Sequence, residues 1–127
     1  MIKDYILMRL GETYLLMAEA QFKQGKLDAA AASINVIRAR ANATPVVAAQ
    51  ITMDFILDER ARELIGEENR RMTLMRTGTL VDRAIRLNSN SVSNPLNNLT
   101  AKNLLLPIPQ SEIYLNKDAK LEQNPGY

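Results

Sequence analysis

Apolar residues recur at helical spacing from the first residues to position 87. Residues 5 to 22 read as one helix, because Leu7, Leu10, Tyr14, Met17 and Gln21 step by 3, 4, 3 and 4, and Ala18 and Phe22 widen the stripe. Gly25 breaks it. A second pattern follows at the same steps, through Leu27, Ala30, Ile34, Ile37 and Ala41. So short a break forces the two helices back to back as an antiparallel hairpin.

Asn42 to Gln50 reads as a loop, since Pro45 disfavours helix at Thr44. Thr52 is placed to cap a third helix, with Asp54 in its first turn and an apolar face of Met53, Ile56, Leu57, Ala61, Leu64 and Ile65. Gly66 ends that helix or bends it into a fourth carrying Met72, Leu74 and Met75. Thr77-Gly78 is a candidate interruption before Leu80, Val81, Ala84, Ile85 and Leu87. Residues 88 to 103 are rich in Asn and Ser, contain Pro95, and read as a long polar loop. Leu104 to Pro109 must be extended, because Pro107 and Pro109 cannot sit in a helix interior. Ser111 is a candidate cap for a short last helix through Asn116, and Asn124 to Tyr127 reads as a turn-like tail. The pattern predicts an all-α fold of antiparallel helical hairpins with an irregular, proline-containing tail, treated as one domain over residues 1–127.

Composition narrows the chemistry. The chain has 127 residues, 46% of them hydrophobic and 24% charged, the balance of an ordinary globular segment rather than a disordered one. Net charge is +2 with no long basic run, which gives no reason to invoke nucleic acid. The chain contains neither Cys nor His, so thiol nucleophiles, imidazole bases and nearly all zinc sites are excluded. An enzyme would have to work with carboxylates, Lys, Tyr or Ser alone. No catalytic, cofactor-binding or metal-binding residue is assigned, and ligand-binding residues are not identified. Lys3, Asp4, Arg9 and Glu12 interrupt the first helix, so it lacks the apolar region of a signal peptide, and no stretch has transmembrane length.

The densest charge run is Asp58-Glu59-Arg60-Ala61-Arg62-Glu63. Helix spacing places Asp58 and Arg62 for an ion pair and puts Glu59 and Glu63 on one face. Glycoside hydrolysis needs two acids facing one another across a cleft, which one helix face among arginines does not provide. The run reads as a structural salt-bridge network. Asn35 and Arg38, beside the Ile34 and Ile37 stripe, are expected to satisfy helix ends or carboxylates rather than a ligand. Arg70, Arg71 and Arg76 are expected to pair with Glu63, Glu67 and Glu68. Asn88 to Ser91 is a loop able to bond sugar hydroxyls. With no Trp and few aromatic residues to act as a platform, it reads as solvated. In the first hairpin, Tyr14, Met17, Ala18, Gly25 and Ala30 loosely fit a tetratricopeptide unit, and equally fit any antiparallel helix pair.

Four stretches, in order, resemble the C-terminal region of the SusD/RagB family. They are Arg9 to Ala20, Ala30 to Arg40, Ile56 to Glu67 with Arg70 through Gly78, and Leu106 to Ile113 with the closing Gln123-Asn124-Pro125-Gly126-Tyr127. Their order, spacing and shared last residue make the resemblance specific, and it covers nearly the whole chain. After Arg70 the chain departs from it, carrying Arg71 and Thr73 where the family often has Trp and Asp.

The resemblance implies a non-enzymatic glycan- or nutrient-binding lipoprotein on the outer face of the outer membrane of Bacteroidetes-type bacteria, with no cofactor. It also implies a SusC-like TonB-dependent transporter as partner, and tetratricopeptide-like helices as scaffold. Family members are several times longer and bind glycan largely through upstream aromatic residues, so Met1 reads as the start of a fragment or shortened product. The helical segment is expected to be scaffold, with residues 5 to 41 a candidate transporter-facing surface. The competing reading is a free-standing tetratricopeptide-like adaptor, which predicts a concave polar face. The family reading predicts an exposed apolar surface instead.

Overall fold

The hydrophobic stripes resolve into six α-helices in the computed structural model, which describes residues 7–88 and 99–127. These are α1 (Leu10–Lys23), α2 (Leu27–Arg40), α3 (Met53–Glu63), α4 (Arg70–Arg76), α5 (Leu80–Asn88) and α6 (Gln110–Leu115). Short 3-10 turns lie at Ala48–Gln50 and Ala101–Leu104, and no strand occurs among the described residues. The all-α class is the one expected. The chain divides into two compact units, the first ending at Glu68 and the second beginning at Asn69.

In the first unit α1 and α2 form the expected hairpin. Gly25 supplies the left-handed residue that ends α1, with a φ of 75°. There the Gly25 N–H donates to the Phe22 carbonyl and the Lys26 N–H to Gln21, which satisfies the last carbonyls of the helix. Asn42, at φ 53°, ends α2 in the same way through bonds to Ala39 and Arg38. Asn tolerates this conformation better than other residues with a Cβ. Small side chains at the crossing, Ala18 against Ala30 and Ala31, let the two helices approach closely. Ile34, Val46, Ile51 and Ile56 complete that core, and Leu15, Ile37 and Leu64 form a second cluster beside it.

The first helix differs from the expectation at both its start and its face. Residues 5 and 6 lie outside the described residues, and the helix begins at Leu10 rather than position 5. Arg9 is extended, with φ −131°. Its buried positions are Leu15, Ala18 and Glu19, whereas Leu7 is 87% exposed and Leu10 68%. The sequence carries two overlapping 3–4 phases, and packing against α2 and α3 selects the one through Leu15, Ala18 and Phe22.

Thr52 caps α3 as expected, its Oγ1 accepting the Phe55 N–H at 3.1 Å. The helix ends at Glu63, so Leu64 is buried in the following turn while Ile65, expected on the apolar face, is 82% exposed.

In the second unit Asn69 caps α4 through the Met72 N–H, and Gly78 at φ 71° makes the expected interruption before α5. Asn88 closes α5. The rest of the predicted polar loop falls mainly on residues 89–98, outside those described, and its far end winds into the turn at Ala101–Leu104. Ser111 does not cap α6. Pro109, at φ −54° and ψ 133°, occupies the cap position and starts the helix two residues earlier than Ser111 could.

The tail is pinned to the extended Leu105–Pro109 segment by side chains. The Gln123 amide bonds both the N–H and the carbonyl of Ile108, at 2.8 and 2.9 Å. Asn124 donates to the Leu106 carbonyl at 2.7 Å, and the Tyr127 hydroxyl to Leu105 at 3.1 Å. Lys102 lies 4.2 Å above the Tyr127 ring.

Candidate functional site

The acid-rich run on α3 builds the polar centre of the first unit. Helical spacing turns Glu59 and Glu63 to one side, where each meets two arginines. Glu59 accepts from Arg38 at 3.0 Å and from Arg62 at 2.6 Å, and both guanidinium groups lie 5.9 Å from the Phe55 ring. Glu63 accepts from Arg9 at 2.6 Å and from Arg40 at 2.9 Å. Arg9 also reaches Glu67 and the Glu63 backbone carbonyl, so one guanidinium staples the start of α1 to the end of α3. Burial pushes the Glu63 carboxyl upward. Hydrogen bonds from Arg9 and Arg40 outweigh that and hold it below its ordinary value. Hydrogen bonds to Glu67 first, and then to Glu63, raise Arg9.

A third ion-pair group sits deeper. The Arg60 side chain is 2% exposed, and it donates to Glu68 at 2.6 Å and to Glu12 at 3.0 Å. A buried guanidinium of this kind is tolerated only because its charge is met by carboxylates in good geometry. Gly11 is part of the design too. A Cβ there would lie 2.6 Å from Arg9 Nη1 and 3.0 Å from Glu63 Oε1, so any larger residue obliges the bonded pair to shift.

Above this network lies a concavity of about 420 Å³. Leu10, Tyr14, Val36 and Ile37 supply its apolar walls, and Arg9, Arg40 and Glu63 its polar edge. Its acid is ionised and already satisfied, so it offers neither a proton donor nor a free base. Among the described residues no second acid lines the space. Among the described residues no group of acidic side chains is spaced to hold a metal ion, and no helix is long and apolar enough to cross a membrane. The second unit has a groove of about 430 Å³ lined by Met72 and Met75 and by Leu104 to Leu106. There Arg71 donates to the Asn103 carbonyl at 2.7 Å.

The residues singled out from sequence fall mostly into structural roles. Asn35 clamps the loop after α2, donating to the Val46 carbonyl at 2.9 Å and accepting its N–H at 2.8 Å, so it secures a loop backbone and not a helix end. Arg38 pairs with Glu59, as expected of a carboxylate partner. Arg62 engages Glu59, three residues back. Glu63 and Glu67 are held by Arg9, with Arg40 joining at Glu63, and Glu68 by Arg60. Ser89 to Ser91 lie outside the described residues. Sequence reasoning missed Arg9, Glu12 and Gln123, whose partners are remote in the chain. Their helix or loop positions carried no periodic signal.

Residues 2–127 match the SusD family along almost the full chain. The starch-binding protein SusD of Bacteroides thetaiotaomicron is 37% identical over 131 aligned positions, covering 98% of this chain and 22% of that protein. A SusD-like protein of Formosa agariphila is 34% identical over 117 positions, covering 87% of this chain and 22% of its own length. The chain thus spans about a fifth of the length of these curated relatives.

Proposed function

The chain belongs to the SusD family, and from that premise we propose that it is the helical framework of a non-enzymatic, glycan-binding component of an outer-membrane nutrient-uptake system. In this reading the assembled protein sits at the cell surface and works with a TonB-dependent transporter, delivering oligosaccharide by binding and release without breaking a bond. The name of the Bacteroides relative, a starch-binding protein, supports the ligand class. The framework role rests on one observation above the others. The inward-facing acids Glu59 and Glu63 are each held by two arginines, and the concavity they border is walled by apolar side chains. A sugar site needs planar polar groups available to hydroxyls beside an aromatic platform. Here those groups are engaged in holding α1, α2 and α3 together, so glycan contacts fall to parts of the family outside this segment.

The adaptor reading predicts a concave polar face. The exposed Leu10, Met17 and Val36 argue instead for the apolar surface that the family reading calls for. Calorimetric titration of this chain with malto-oligosaccharides is expected to give no heat of binding. The Bacteroides SusD carrying this segment in place of its own matching fifth is expected to bind starch still. Micromolar binding by the chain alone would overturn the framework role, and loss of starch binding in a folded chimera would overturn the family function.

A further inference from the structure

We draw no further inference here: the strongest candidate, the exposed apolar face that Leu10 and Met17 of α1 and Val36 of α2 form on the first hairpin, carries none, because Arg9 and Arg40 beside it are already met by Glu63 and Glu67 and nothing in the structure shows what covers it.

Discussion

Replacing Glu63 with glutamine isolates the ion-pair centre. The substitution keeps the volume and one carbonyl acceptor but removes the charge that two guanidinium groups share. Arg40 is 66% exposed at its side chain, so its pair with Glu63 falls in the surface range of about 0.3–0.5 kcal/mol. Arg9 is 29% exposed and Glu63 only 7%, and their hydrogen bond is charge-assisted, which places it at about 1–1.5 kcal/mol. The bond from Arg9 to the Glu63 backbone carbonyl survives the change. Glu63→Gln should therefore cost about 1.3–2 kcal/mol at pH 7. Urea unfolding followed by circular dichroism should show this as a midpoint lowered by about 1 M, for a slope of about 1.5–2 kcal/mol per M. The pH dependence gives a second check. The folded carboxyl lies below its ordinary value of 4.5, so its contribution is present above that value and is lost as pH falls through the lower, folded one. The gap between wild type and Glu63→Gln should close toward pH 3. A gap that is the same at pH 7 and pH 3, or smaller than about 0.5 kcal/mol at pH 7, refutes the assignment.

Glycine-to-alanine changes inside helices usually stabilise by about 0.5–1 kcal/mol, but Gly11→Ala should fail to do so, because the new Cβ lies 2.6 Å from Arg9 Nη1. Thermal unfolding should recover the usual gain once Arg9→Met has removed the obstacle. Asn35→Ala strips both polar groups of Val46 of their partner and should cost about 2 kcal/mol, read by urea unfolding. Gln123→Ala releases the Ile108 N–H, so amide exchange there should accelerate by at least about tenfold, the equivalent of one lost hydrogen bond, while amides in α1 and α2 stay unchanged.

What was legible in the sequence divides by the range of the cause. Helix ends are local events, and Gly25, Thr52 and Gly78 do what their chemistry requires. Ser111 fails only because Pro109, two residues upstream, claims the cap first. The choice between the two apolar phases of α1 is not local. Leu10, Tyr14 and Met17 are as well spaced for burial as Leu15, Ala18 and Phe22, and the decision is made by α2 and α3, whose alanines and isoleucines fit the second set. A periodicity count sees both stripes and cannot rank them.

The same distinction explains the candidate site. The run at residues 58–63 shows that acids and bases alternate, and from that a salt-bridge network follows. It does not show that the partners are Arg9, Glu12, Arg38 and Arg40, which lie 21 to 54 positions away in the chain. Long-range pairing of this kind is also what removes the acids from chemistry. A carboxylate with a depressed pKa and two guanidinium partners is a poor proton donor and a poor partner for a sugar hydroxyl, but a good rivet between helices. The apolar stripe left over on α1 then takes on meaning. A hairpin that satisfies its charges inward still presents Leu10 and Met17 of α1 and Val36 of α2 outward, an exposed apolar surface of the kind the family reading calls for.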